Sequence, residues 1–525
     1  MDRHGLYARV GRVTGETVRP ARVVPGGRPS GERTMAVKNQ DNVVSHQHYR
    51  NSIVLEWSRQ TRITSTLSTS RSDFPVGWSF LTGWSRTGEP TVKHCRLYRQ
   101  WSQDQFGLLV AENVQVCPRH LASPGDVTIR ESDKRDIPPS WHKWAKVCKT
   151  STLIQLSHAG LQSPRGCGRP LQASSIAPSA GRLSLGNRLI DRLAAWGLFN
   201  QSKEASKDDI MQIIEQFRSS AKFCHQVGFQ GVQLHCSHGF LLSAFLSPKT
   251  NKRRDDYGMS AVNRLRIILD IIDAIRSSVP KSFCLAIKLN CSDLSEGGVT
   301  MEEALNNIKR IVSHGGIDLI EITGGTYTNF PTSKSDVTSS EAHATSKCDV
   351  KSSKTRKEQK LAGGEAYYTD FTKQAVHIMR EVAVATGQPR PMLMHTGGFR
   401  SRSGMAAAIS NQETDLIGLG RPACLDPLLC TKILDPRLTD FSCSDPKVPG
   451  VAIWNMMIPV RIVGSGFKTV WYTWQLHLMA DYKPPDLVCS ALGSLRSVLP
   501  LYRILSCLAI LLSLLVGVIV ARFVS

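Results

Sequence analysis

Residues 206–236, SKDDIMQIIEQFRSSAKFCHQVGFQGVQLHC, decide the fold class. Ile210, Ile213, Ile214, Phe217 and Ala221 recur at the three- and four-residue spacing of one helix face, where a strand would alternate. Ser206 precedes them as an N-cap with Asp209 three positions on, and Gly228 stands where a helix end favours a residue free to turn left-handed. The chain then enters GVQLHC, short and β-like. A helix delivered directly into a strand is half of a βα repeat.

Outward from this stretch the unit recurs. Leu265, Ile268, Leu269 and Ile272 mark a helix ahead of a strand FCLAIKLN (283–290). Thr300 and Glu303 form a capping box that opens a helix through Leu305, Ile308 and Ile311 to Gly315, ahead of IDLIEIT (317–323). A helix over 370–386, PMLMHT (391–396), a short helix near 401–410 and TDLIGLG (414–420) continue the series. Upstream, FGLLVAENV (106–114) and STLIQLS (151–157) also read as strands. Seven strands separated by helices or loops predict an α/β fold, a (β/α)8 TIM barrel whose first strand is unassigned. An open doubly wound sheet is the alternative, disfavoured because no GxGxxG follows an early strand. Residues 163–200 and the polar stretch 329–364 read as insertions.

Apolar residues form 41% of the 525 and charged residues 21%, which excludes collagen-like, mucin-like and wholly disordered chains. The net charge of +22 admits anionic partners and selects none; no nucleic acid is expected. Fourteen cysteines form no CxxC pair and read as reduced thiols, with no metal site expected. The ends differ from the middle. Residues 1–60 read as a basic, disordered extension, with seven arginines before residue 36. At the other end Ile504–Ala521 is uncharged between Arg503 and Arg522, and its 18 residues approach the length of a membrane span. The expected organisation is therefore an extension (1–60), a barrel (61–480), a linker (481–503) and a transmembrane tail anchor (504–521). That arrangement places the protein on a membrane with its barrel facing the cytosol. Self-association is left open.

Barrels of this kind build their sites at the C-terminal ends of the strands. Gly397 and Gly398 follow the seventh strand and Gly420 and Arg421 the eighth, a pairing suited to a phosphate. His235 and His238 end the fourth, where two imidazoles can ligate a metal, orient a carbonyl or sit in the core. Lys288 and Gln155 interrupt apolar runs, and a buried ammonium needs something anionic opposite it.

These residues also carry a resemblance. QLSHAG (155–160), GVQLHCSHGFLLSAFLSPKTNKRRDDYG (231–258), KLN (288–290), ITGGTY (322–327), TGGFRSRSGM (396–405) and GLGRP (418–422) resemble the Old Yellow Enzyme family of FMN-dependent NADH:flavin oxidoreductases and NADH oxidases. The resemblance implies a barrel holding FMN, reduced by NAD(P)H, that passes hydride to an activated alkene or another small-molecule acceptor. It implies that Gln155 and Lys288 contact the flavin ring, that Gly397, Gly398, Gly420 and Arg421 hold its phosphate, and that His235 and His238 bind the oxygen of the acceptor. Three departures stand out. The Asn-Arg segment of the family's first strand has no counterpart within 36–90, Leu161 replaces an arginine, and Phe240 replaces the tyrosine that gives a proton. Three readings follow: an ene reductase, an oxidase or quinone-type flavoprotein, and a barrel that has lost FMN.

Overall fold

Leu153 and Ile154 are neighbours on one strand and belong to different cores. Leu153 packs with Leu108, Val110, Ala286, Leu319, Met394 and Leu416 inside a closed barrel, whereas Ile154 joins the layer between strands and surrounding helices. The parity repeats at Leu285/Ala286, Leu319/Ile320, Leu393/Met394 and Leu416/Ile417, as two-residue alternation requires when both faces of a strand are covered.

This computed structural model describes residues 66–68, 85, 87–325, 366–438, 441–443, 446–450, 461–490 and 493–494. The barrel strands are β1 (Thr66–Ser68), β2 (Leu108–Gln115), β3 (Thr152–Ser157), β4 (Gly231–Cys236), β5 (Cys284–Asn290), β6 (Leu319–Thr323), β7 (Met392–Thr396) and β8 (Leu416–Gly418). All pair in parallel and in chain order, and β8 closes on β1. The helices that follow them are α1 (Val92–Gln103), α2 (Pro139–Val147), α3 (Lys207–Val227), α4 (Ala261–Arg276), α5 (Met301–His314), α6 (Thr369–Thr386), α7 (Arg402–Ser410) and α8 (Arg461–Ala480).

The local signals act as their chemistry suggests. Ser206 Oγ accepts from the Asp209 N–H at 3.0 Å, the Asp209 carboxylate accepts from the Ser206 N–H at 2.9 Å, and Gly228 ends α3 at φ +104°. The face carrying Ile210, Ile213, Ile214, Phe217 and Ala221 is buried. Thr300 caps α5 by accepting from the Glu303 N–H at 3.2 Å.

Two expectations change. The unassigned first strand is Thr66–Ser68, whose register pairs Thr66 with Leu108 on one side and Gly418 on the other. It lies inside a Ser/Thr-rich stretch with no apolar run, so neither periodicity nor composition marks it. Membrane anchoring with a cytosol-facing barrel is corrected. Among the described residues no helix is long and apolar enough to cross a membrane. The last described long helix, α8, carries Lys468, Gln475 and His477 and docks on α1, where Gln100 Nε2 donates to the Met479 carbonyl at 2.6 Å and Lys93 pairs with Asp481 at 2.9 Å. The start of the expected linker is tied back to α8: Gln475 and Asp486 exchange hydrogen bonds at 2.9 and 2.8 Å. Residues 1–60, 329–364 and 504–521 lie outside the described residues.

Candidate active site

Two residues above the apolar plug, the same strands turn polar. Gln155 (β3), Gln233 (β4), Lys288 (β5) and Glu321 (β6) are each fully buried. Lys288 Nζ lies 2.9 Å from Glu321 Oε1, and register places the two residues side by side. Gln233 Nε2 donates to Glu321 Oε2 at 2.8 Å, and Gln155 Nε2 donates to Gln233 Oε1 at 2.5 Å. Gln155 is therefore linked to Lys288 through two intermediates, Gln233 and Glu321, that the sequence reading does not single out. Their signal was the one used for Lys288: a polar side chain on an inward position of an otherwise apolar strand. A buried ion pair gains little net stability, because desolving both charges offsets most of their attraction. Its retention inside a barrel is better explained by chemistry.

Among the described residues, neither Gln155 Oε1, at the end of this hydrogen-bonded chain, nor His235 Nε2 has a hydrogen-bond partner. Both His235 and His238 are buried. Burial, with the Lys288 ammonium adding to it, holds both imidazoles well below the ordinary histidine range, so each is neutral at physiological pH. Ser237 Oγ sits 3.1 Å from the Nδ1 of each ring. One hydroxyl proton serves only one of them, so the serine couples the two tautomers. His238 adopts φ +60°, a conformation that costs a non-glycine residue energy and recurs at functional sites. Asn290 holds it there, its Oδ1 accepting from the His238 N–H at 3.2 Å, while Thr323 Oγ1 lies 3.2 Å from the ring Nε2. Phe240 is buried with its ring centroid 4.5 Å from that of His235.

The glycine loops emerge side by side, because β7 and β8 pair Thr396 with Gly418. Gly397 and Gly398 have φ +138° and +84°, and a Cβ on either would lie 2.9 or 2.7 Å from the ring of Tyr368 or Tyr367. Both positions thus require glycine, and their backbone can approach a ligand. Gly420 leads into a single 3-10 turn, Arg421–Cys424, with Arg421 half-buried at its start. Tyr327, beyond β6, lies outside the described residues.

These residues fit FMN. A buried cation is available for the electron-rich edge of the ring, Gln155 Oε1 has no donor among the described residues, and glycine backbone with an arginine suits the phosphate.

The model of the NADH:flavin oxidoreductase / NADH oxidase family matches residues 81–394. The chain is 36% identical over 361 residues to the NADH-dependent flavin oxidoreductase iliE of Neonectria sp. (strain DH2), covering 67% of this chain and 44% of that protein. It is 32% identical to its counterpart in Hypocrea jecorina (strain QM6a), covering 68% of this chain and 85% of that one. Morphinone reductase shares the fold at TM-score 0.51 and 17% identity, over 74% of this chain and 88% of its own.

Proposed function

Because the chain belongs to the NADH:flavin oxidoreductase / NADH oxidase family and is an FMN oxidoreductase that draws on NAD(P)H, we propose that it reduces an activated alkene, as an ene reductase does. The observation that carries this reading is the fully buried Lys288–Glu321 pair beside two neutral imidazoles at the strand ends. When bound, FMN supplies hydride transfer. Lys288 places positive charge in the barrel where the reduced ring accumulates negative charge, and Glu321 and Gln233 fix where that ammonium sits. Gln155 orients the ring through its amide, and Gly397, Gly398, Gly420 and Arg421 bind the phosphate. His235 and His238 line the acceptor's oxygen as neutral rings; because Ser237 donates to only one Nδ1, one ring at a time is held as the Nε2–H donor that polarises it, and His235, whose Nε2 has no partner among the described residues, is the better placed.

Phe240 favours a second reading, an oxidase or quinone-type flavoprotein. It occupies the position of a phenol that would return a proton to carbon, and it shapes that wall without donating. Oxygen and quinones need no proton on carbon.

Anaerobically reduced enzyme mixed separately with a cyclic enone, a quinone and oxygen distinguishes the two. Ene reductase chemistry predicts enone turnover that rises in Phe240→Tyr, by up to the roughly 100-fold or more that general acid catalysis contributes. Rapid quinone or oxygen reoxidation, with no enone turnover in either protein, supports the second reading.

A further inference from the structure

Behind the Phe240 wall, three side chains that serve no step above converge. Cys117 and His120 follow β2, and His158 follows β3; one donor atom from each lies within 4.8 Å of the other two. Cys117 Sγ is 3.3 Å from His120 Nδ1, and the rings of His120 and His158 stack at 4.9 Å. Cys117 and His158 are buried and His120 is half-buried.

We infer that Cys117, His120 and His158 form a binding site for a zinc-class divalent cation, distinct from the flavin-facing residues. One thiolate and two imidazoles are the donor types that zinc selects, and three protein ligands leave the fourth tetrahedral position to water on the His120 side. The observed 3.3 Å between sulfur and nitrogen suits two ligands of one tetrahedral ion. Cys117 ligates by losing its proton to solvent as the cation arrives.

Two features oppose binding and are smaller. Arg119 and Arg169 add positive charge nearby, offset in part by the new thiolate. His158 Nδ1 accepts from the Gly160 N–H at 3.1 Å, and ligation requires that bond to give way. Losing one neutral hydrogen bond weakens binding by on the order of tenfold.

The site would brace the acceptor wall. Ala122, Ala159 and Phe240 form one buried cluster, in which Ala122 stands two residues after His120 and Ala159 directly after His158. The His158 carbonyl accepts from the Leu241 N–H at 3.0 Å.

The test is zinc K-edge absorption of the FMN-loaded enzyme, stripped with a chelating resin and given one equivalent of zinc sulfate. One sulfur near about 2.3 Å and two nitrogens near about 2.0–2.1 Å are expected. Calorimetric titration of Cys117→Ser and of His120→Ala, each checked for retained flavin and melting temperature, should show zinc weakened by at least the roughly 10- to 100-fold that disturbing a ligand shell costs. His120→Ala keeps the test valid if the buried cysteine variant does not fold. A shell without sulfur, or equal zinc affinity in folded variants and wild type, overturns the site.

Discussion

Leu153 and Gln155, Leu319 and Glu321 stand two residues apart on the same strands and point into the same barrel, yet the lower pair is part of an apolar plug and the upper pair of a hydrogen-bonded network. Both layers are fully buried. The lower one gains free energy from every area it removes from water; the upper one must recover the cost of buried charge through partners before it contributes anything. The difference suits the lower layer to folding and the upper to the proposed chemistry, and it can be broken from either side.

The largest effect is expected from Lys288→Ala. It strands the Glu321 carboxylate in a dry interior, and breaking one side of a buried pair costs about 3–5 kcal/mol. Denaturant unfolding should register that loss, with FMN release accompanying it. Leu319→Ala, one step below, removes apolar volume at a cost of about 2–5 kcal/mol. The folded variant should keep its flavin and its rate of reduction by NADH. If reduction slows as much as in Lys288→Ala, the two layers do not divide the work.

Much of this division was readable before the fold. Lys288 and Gln155 are marked in the sequence as polar side chains interrupting apolar strands, and the glycine loops by where strands seven and eight end. Glu321 and Gln233 carry the same mark and went unnamed, since a single polar residue in a strand identifies an inward position without identifying its partner across the barrel. Strand register supplies that. The first strand was illegible for a different reason: TLS in a Ser/Thr-rich stretch forms a strand because β2 and β8 leave it a place, which is tertiary context. Cys117-x-x-His120 went unread because its third member, His158, lies 38 residues further along the chain.

A smaller effect is expected outside both layers. If Arg421 holds the phosphate as proposed, Arg421→Ala removes a charge-assisted contact worth about 2–4 kcal/mol, or on the order of 30- to 1000-fold in FMN affinity. Dialysis at micromolar protein should leave the variant largely without flavin and with an unchanged fold. Full retention of the cofactor would move the phosphate elsewhere.

The smallest effect belongs to the histidines of the upper layer. Burial holds both rings well below the ordinary histidine range, so the unfolded chain takes up protons that the native site refuses. Their contribution to stability is present above about pH 6.5 and is lost as pH falls below it, by about 1.4 kcal/mol per pH unit for each ring. Melting temperature against pH, compared between wild type and His235→Gln, should show the shallower acid slope in the variant.

Lys288 and Glu321 would set the charge felt by the flavin, and the midpoint potential of bound FMN reads that directly. Removing the cation in Lys288→Met should make the potential more negative, and removing the anion in Glu321→Gln should make it more positive. Leu319→Ala should leave it where it is. Potentials that stay unchanged in both charge variants, or that move in the same direction, would contradict the account.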